Sequence, residues 1–262
     1  MFFPQMALLR RTIVLACALA LALSVLPAFA SAAGLSSRLA ASMRPAGGSS
    51  GAYVVNATTG KPVFRYRHLT PRVLASNTKL FTTSAALARY GVDARLATEV
   101  RGTGTLDTEG NYSGSLYLIG GGDPSFGSSR FARRAYGGGG SVEALASRLE
   151  AIGVRSVMGR IYGDESKFDS LRGGPDTRYL ISPYVGPLSG LAYNRGLASE
   201  SGRGYQANPP AFAAARLDAA LARAGISVRG APSAGQTPVG ATPLVNTESP
   251  TMARLVRLTN KP

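Results

Sequence analysis

The pattern of hydrophobic and polar positions in this 262-residue chain first predicts a β-hairpin. Residues 52–55 and 63–66 are short runs rich in valine and aromatic residues, and the turn sequence Thr58-Thr59-Gly60 lies between them. The stretch before them, residues 34–50, is made of small and polar residues and predicts a mobile leader. We therefore expect the hairpin to be the first structured element.

A helical pattern covers residues 77–90 and places Leu80, Phe81 and Leu87 on a mostly apolar surface. Gly91, directly after it, is a typical C-terminal stop. Because so much of this helix is apolar, we expect it to be buried near the centre of its domain.

The rest of the chain predicts alternating strands and helices. Strands are expected over residues 96–106, 115–119 and 157–162. Helices are expected over residues 141–152, from residue 208 to a stop at Gly225, and from residue 249 onward. The first of these helices carries an apolar face formed by Val142, Leu145, Leu149 and Ile152. Residues 231–243, rich in proline and glycine, predict a linker.

Composition and charge narrow the classes of partner. The chain is 45% hydrophobic and 16% charged, which is typical of a globular protein, and its formal net charge is +15. A basic surface favours nucleic acid, acidic lipid, or the anionic polymers of a bacterial wall. The arginines look scattered, without a cluster interleaved with aromatic residues, so we expect no nucleic-acid partner.

The N-terminus predicts export. Arg10 and Arg11 precede an apolar run over residues 12–30 that ends in the cleavage pattern Ala28-Phe29-Ala30. We assign residues 1–30 as a signal peptide and expect no stable transmembrane anchor, although the run approaches spanning length. A lipidation box ending at Cys17 lies too close to Arg11 to be favoured. The expected location is the periplasm or the extracellular cell wall, and the mature chain has no cysteine for disulfides or thiolate catalysis.

The candidate chemistry lies in Ser76-Asn77-Thr78-Lys79. Residues at i and i+3 share a helix face, so the serine hydroxyl and the lysine amine can meet there. A serine needs a neighbouring base, and lysine serves only when it is neutral, which burial and the positive end of a helix dipole both favour. The predicted reaction is acyl transfer through an acyl-enzyme on Ser76, with backbone N–H groups stabilising the oxyanion.

Other candidate sites have weaker support in the sequence, and the Ser76–Lys79 tetrad also has a purely structural interpretation. S-x-x-K arises by chance in many chains, as an N-capping serine followed by a surface lysine. His68 is the only histidine of the chain. A lone histidine near the end of a strand is more often structural than catalytic. The glycines at 120–122 lack the G-K-[ST] ending of a phosphate loop, and the acidic residues show no ligand spacing, so we predict no metal and no cofactor.

Several motifs, taken in order, resemble the low-molecular-mass class C penicillin-binding proteins. These are the D-alanyl-D-alanine carboxypeptidases/endopeptidases of peptidase family S13. The matching segments are the hairpin and residues 74–87 around the tetrad, the GGGDP turn at 120–124, the G-D-x-S-x-F segment at 163–168, residues 185–194, and residues 248–262. The resemblance covers about residues 50–262.

The resemblance implies a fold, a substrate and site residues. It implies an incomplete α/β fold of the serine-lysine transpeptidase and β-lactamase type, with a sheet flanked by helices. Residues 34–97 and 236–262 would be parts of the catalytic domain, and residues 98–235 an inserted accessory domain. Ser76 would be the nucleophile and Lys79 the base, acting on peptidoglycan stem peptides and inhibited by β-lactams.

The resemblance also implies two substrate contacts. Asp164 and Phe168 in the G-D-x-S-x-F segment would contact the stem peptide. The alternative is a turn-capping aspartate and a core phenylalanine.

The sequence departs from the family at its C-terminal side. The S-x-N and K-T-G motifs would follow the segment at 260–262, so the resemblance implies a C-terminally truncated member. The rival interpretation is a non-catalytic wall-binding protein or inactive fragment that holds anionic wall polymers. Within enzymes the rival is a β-lactamase, against which the long insert argues, and carboxypeptidase versus endopeptidase activity stays open.

Overall fold

A computed structural model describes residues 34–199 and 201–261. The predicted signal peptide, including Cys17, lies outside these residues. The chain divides into two compact units, one up to Ala75 and one from Ser76 onward, and each is described by itself. Among the described residues, no helix combines the length and the apolar character needed to cross a membrane.

The first unit contains a helix and a hairpin. The helix α1 covers residues 34–43, within the stretch for which the sequence predicted a mobile leader. Leu35, Leu39 and Met43 recur every four residues, which is a helical spacing that the small neighbouring residues obscured. The predicted hairpin is confirmed: β1 (Ala52–Val55) pairs antiparallel with β2 (Pro62–Tyr66).

A single arginine ties the first unit together. The Arg72 guanidinium donates hydrogen bonds to the carbonyl oxygens of Ser49 at 2.6 Å and Ser50 at 2.9 Å, before the hairpin. It also donates to the carbonyls of Arg67 at 2.8 Å and Thr70 at 2.7 Å, after the hairpin. Arg72 therefore fixes the two ends of the hairpin against each other, using the planar set of donors that only arginine offers.

The second unit has five helices and eight strands among its described residues. The helices are α2 (Thr78–Tyr90), α3 (Ser129–Tyr136), α4 (Val142–Ala151), α5 (Pro209–Arg223) and α6 (Met252–Asn260). The strands are β3 (Ala97–Gly102), β4 (Asn111–Tyr112), β5 (Leu116–Ile119), β6 (Ser156–Val157), β7 (Ile161–Asp164), β8 (Ser227–Val228), β9 (Ser233–Ala234) and β10 (Thr242–Glu248).

Two sheets organise this unit. The larger has the order β10-β3-β5-β7-β9, antiparallel from β10 to β5 and parallel from β5 to β9. The smaller is the parallel sheet β4-β6-β8. After α4 and after α5 the chain turns at Gly153 and Gly225, both with positive φ, and enters β6 and β8. The helix–glycine–strand units thus end on neighbouring strands of one sheet.

The core of the second unit lies between helices and sheets. Helices α4 and α5 pack on each other and against the sheet strands, and Leu145, Leu149, Leu217 and Leu221 are fully buried there. These leucines are spaced by four residues within each helix, which places each pair on one face. The predicted α/β fold, a sheet flanked by helices, is confirmed.

Three sequence predictions in this unit were wrong in detail. Residues 157–162 do not form one strand, because β6 ends at Val157 and β7 begins at Ile161 in a different sheet. The expected linker at 231–243 contributes β9 to the edge of the larger sheet. Ile152 is 44% exposed, because it is the C-cap of α4 and lies beyond the turns that pack on the core.

Helix α2 differs from its prediction in burial. Its bounds and its stop at Gly91, which donates its N–H to the Leu87 carbonyl at 2.9 Å, are as expected. Its burial is not, because Leu80 is 57% and Phe81 is 66% exposed. One face of α2 packs on α6, where the Asn260 amide donates to the buried Thr83 hydroxyl at 3.1 Å. The expected central burial is therefore wrong for the described residues.

Candidate functional site

The tetrad lies at the start of α2. Ser76 is in the 3₁₀ turn Ala75–Asn77, and Lys79 is in the first turn of the α-helix that follows. The N-cap of this helix is Asn77, which makes no side-chain cap hydrogen bond. Ser76 is therefore not the N-cap of α2, as the purely structural interpretation of the tetrad required. Ser76 precedes the first turn of α2, whose N–H groups have no intrahelical acceptor.

The environment of the tetrad lacks the burial that we expected. Ser76 and Lys79 are both exposed. The general-base role depends on desolvation of the lysine amine, and the described residues around Lys79 do not supply it. The chemistry therefore needs a cover over the start of α2, from substrate or from further protein.

The GGGDP turn follows β5 and is tightly packed. A side chain at Gly120 would meet the Gly190 carbonyl oxygen at 2.1 Å, and one at Gly121 would meet the Ala97 carbonyl oxygen at 2.2 Å. Gly122 has a φ of +76°. Only glycine fits these three positions, so the run of glycines has a structural reason.

Asp123 in this turn is buried, with 4% of its surface exposed. Its Oδ1 accepts hydrogen bonds from the N–H and the hydroxyl of Ser125, at 2.8 and 2.6 Å. Its Oδ2 has no partner among the described residues. Burial raises the pKa of Asp123 to about 6, although the Ser125 hydrogen bonds oppose this shift.

Asp164 ends β7 and has a full set of partners. Its Oδ1 accepts the Ser166 N–H at 2.8 Å, and its Oδ2 accepts the N–H of Thr237 at 2.7 Å as well as the Thr237 hydroxyl. Burial works to raise the pKa of Asp164, but the hydrogen bonds from Thr237 and Ser166 outweigh it and lower the pKa. This geometry matches the turn-capping alternative, with Asp164 joining β7 to the segment after β9.

Phe168 is not a core residue. Its side chain packs over Gly122 and Gly190, yet 57% of the residue is exposed. It borders a cleft of about 390 Å³ that Leu171, Tyr179 and other residues also line. Phe168 is therefore available to a ligand, whereas Asp164 is committed to the protein.

An ion pair shapes the loop beside this cleft. The Arg172 guanidinium binds the Glu165 carboxylate through two nitrogens, at 2.6 and 2.8 Å, and also donates to the Leu188 carbonyl. The Ser189 hydroxyl donates to the same carboxylate at 2.5 Å. This bidentate pair holds residues 165–190 as one folded loop.

The hairpin corrects the view that the arginines are scattered. The Arg65 guanidinium lies 5.9 Å from the Tyr53 ring, opposite it in the strand pairing, and the His68 ring stacks on Tyr53 at 5.2 Å. Arg67 lies 5.0 Å from the Tyr66 ring. The alternation of aromatic and basic residues over 64–68 was the signal that sequence analysis missed.

No cluster of three or more potential metal ligands occurs within residues 34–199 and 201–261.

Comparison with solved structures defines the class of fold. Penicillin-binding protein 4 from Haemophilus influenzae superimposes with a TM-score of 0.61 over 78% of this chain and 57% of that chain, at 17% identity. The same protein in complex with a β-lactam gives a TM-score of 0.51, at 16% identity, over 79% of this chain and 56% of that chain. The described fold is that of the penicillin-binding proteins.

Comparison of sequences defines the family. The model of the D-Ala-D-Ala carboxypeptidase 3 (S13) family matches residues 32–207, and the chain belongs to this family. A D-alanyl-D-alanine carboxypeptidase from Actinomadura sp. (strain R39) is 35% identical over 126 residues, which are 48% of this chain and 21% of that protein. The chain thus spans only part of the length of these relatives.

Proposed function

We propose that this chain carries the nucleophile segment of an exported serine D-alanyl-D-alanine carboxypeptidase that acts on peptidoglycan stem peptides. Ser76 attacks the carbonyl of the terminal D-Ala-D-Ala bond, Lys79 accepts the hydroxyl proton, and the terminal D-alanine leaves as the acyl-enzyme forms. Water then hydrolyses the ester and releases the shortened stem. Stem cross-links are the second substrate class, through the same acyl-enzyme.

The observation that carries this proposal is the position of the tetrad within the family match. Ser76 and Lys79 lie at the N-terminus of a 13-residue helix, inside the matched residues 32–207. The related carboxypeptidase and the β-lactam complex of the similar fold support the same reaction class. Of the two expected substrate contacts, Phe168 is open to a ligand, and the Asp164 carboxylate accepts hydrogen bonds from Ser166 and Thr237.

We also propose that residues 98–235 are an accessory domain inserted into the catalytic domain. β10 lies in the expected catalytic part and pairs with β3, which lies almost entirely in the expected insert. The larger sheet therefore includes strands from both parts.

Acylation by a penicillin tests the proposal. Attack by Ser76 opens the lactam ring, forming an ester and transferring the proton to the lactam nitrogen. Intact-protein mass spectrometry should show one adduct on the wild type and none on Ser76→Ala. Ser84→Ala, which removes another exposed serine of the same helix, should acylate normally.

The exposure of the tetrad favours one alternative, a non-catalytic wall-binding protein. A folded wild-type chain that forms no adduct would support that alternative. Rapid deacylation with penicillin and no turnover of a D-Ala-D-Ala peptide would instead identify a β-lactamase.

A further inference from the structure

The second unit contains a cleft that is lined by three arginines and by no residue of the tetrad. Its volume is about 600 Å³, and it lies between helix α3 and the turn after Tyr193. Arg130 and Arg134 lie one turn apart on α3, and Arg195 comes from the turn. Phe131 and Leu197 provide apolar surface between these side chains. Sequence analysis did not find this cleft because its two walls are about 60 residues apart along the chain.

The turn that carries Arg195 is held in an uncommon backbone conformation. Asn194 and Arg195 have φ values of +50° and +56°, a left-handed region that non-glycine residues seldom occupy. The buried Gln206 amide donates to the carbonyls of Tyr193 at 2.7 Å and Leu197 at 2.8 Å, one on each side of the turn. Such strain persists only where the surroundings enforce it, and it occurs often at ligand sites.

The same turn is joined to α3 on the opposite wall. The buried Asn194 Oδ1 accepts the N–H of Ser128, the N-cap of α3, at 3.0 Å. A side chain at Gly127 would collide with this oxygen, at 1.9 Å. The two walls of the cleft therefore have a fixed separation, which is the usual condition for a preformed ligand site.

The orientation of Arg195 is also fixed. Its guanidinium carbon lies 5.4 Å from the Phe131 ring and 5.8 Å from the Tyr136 ring, both on α3. A side-chain hydrogen bond between Arg195 and Tyr136 adds to these ring contacts and holds the guanidinium in place. Arg195 thus loses little freedom when it binds an oxyanion, and two parallel N–H bonds match a carboxylate.

We propose that this cleft binds the terminal carboxylate of an alanine-rich peptide, as a second site that holds a stem peptide outside the reaction centre. The inference rests on the proposed function, which supplies this class of ligand. Arg195 and Arg134 pair with the carboxylate, and Phe131 and Leu197 contact the alanine methyl groups. The apolar surface between the arginines and the limited volume favour a short peptide over a phosphate-rich polymer, which needs an extended basic track.

Binding of acetyl-L-Ala-D-Ala-D-Ala to the full chain tests this site. All variants carry Ser76→Ala, so that binding is read without turnover. Arg134→Gln and Arg195→Gln should each weaken binding about 10-fold, as expected for the loss of a charge-assisted hydrogen bond. Arg133→Gln is the matched control, because it removes the neighbouring exposed arginine of α3 that does not line the cleft.

The ligand also has a matched control. The C-terminal amide of the peptide should bind about 10-fold more weakly than the carboxylate to the Ser76→Ala chain. Equal affinities for acid and amide, or equal losses in Arg133→Gln and Arg134→Gln, would overturn the proposal. Displacement by inorganic phosphate at the same concentration as the peptide would overturn the assignment to peptides. Penicillin acylation of the wild type is measured separately. A negative result for peptide binding in the cleft can therefore be distinguished from a negative result for acylation of Ser76.

Discussion

Two buried aspartates show how local partners decide the sign of an electrostatic effect. Asp123 and Asp164 are 4% and 3% exposed, so burial disfavours ionisation of both. Asp164 receives hydrogen bonds on both oxygens, whereas Asp123 receives them on one only. The pKa of Asp164 is consequently lowered and that of Asp123 is raised to about 6.

This difference predicts opposite pH effects on stability. The pKa of Asp123 rises from 3.8 to about 6 on folding, so the unfolded chain ionises first as the pH increases. The free energy of unfolding should therefore fall by up to about 3 kcal/mol between pH 4 and pH 7. Asp123→Asn should remove most of this fall and be more stable than the wild type at pH 7.5, as measured by urea denaturation.

Asp164→Asn serves as the comparison. The lowered pKa of Asp164 means that its stabilisation is present above its unfolded pKa and is lost as the pH decreases. This substitution should destabilise the chain by about 1–3 kcal/mol at pH 7.5, and the loss should become smaller as the pH falls below 3.8. A parallel response of both variants would contradict the assignment of partners to the two carboxylates.

At the scale of secondary-structure elements, the spacing of hydrophobic residues predicted where these helices form. It did not predict how far along each helix the buried face extends. The N-caps of α4 and α5, Ser141 and Asn208, accept hydrogen bonds from backbone N–H groups three residues later, and both lie where the sequence predicted a helix to begin. Leu149 and Ile152 share the apolar face of α4 by spacing, yet one is fully buried and the other is 44% exposed. Spacing fixes direction around a helix but not where the neighbouring element ends.

This contrast gives a matched pair of substitutions. Leu149→Ala should lower the free energy of unfolding by about 2–5 kcal/mol, because it leaves a cavity between α4 and the core. Ile152→Ala should cost less, about 1 kcal/mol, because 44% of the residue is exposed and less apolar surface is buried. Denaturant unfolding measures both, and similar losses would show that Ile152 is packed as tightly as Leu149.

At the scale of the whole molecule, the positive charge is unevenly distributed. Residues 34–75 contain neither Asp nor Glu and six basic side chains: Arg38, Arg44, Lys61, Arg65, Arg67 and Arg72. All 14 acidic residues of the chain come after residue 92. Because exposed charges act over roughly 10 Å at moderate salt, this acid-free segment should dominate contact with anionic polymers.

We therefore expect the chain to be retained on anionic wall polymers through the hairpin. Retention should decrease as salt is raised from 0.05 to about 0.5 M, and the double variant Lys61→Gln/Arg65→Gln should elute at lower salt than the wild type. Arg223→Gln/Arg229→Gln removes the same charge from exposed positions of the second unit. Equal elution of the two double variants would show that adhesion follows net charge alone.

The local motifs of the candidate site could be predicted from the sequence. The burial of its residues and their contacts with distant segments could not. The tetrad, the stop at Gly91 and the glycines of the 120–122 turn depend on local backbone geometry, which short sequences encode directly. The exposure of Lys79 depends on which segments cover α2, and the cleft around Arg195 joins residues distant along the chain. Neither is a property of a local spacing.

The sequence by itself determined the family, the hairpin, the helices α2, α4 and α5 and the candidate nucleophile, because these follow from short-range patterns. The tertiary structure alone decided that α2 has an exposed apolar face, that Asp123 and Asp164 differ in pKa, and that three arginines meet at one cleft. The physical reason is that burial and charge pairing depend on contacts between distant segments, which periodicity cannot specify.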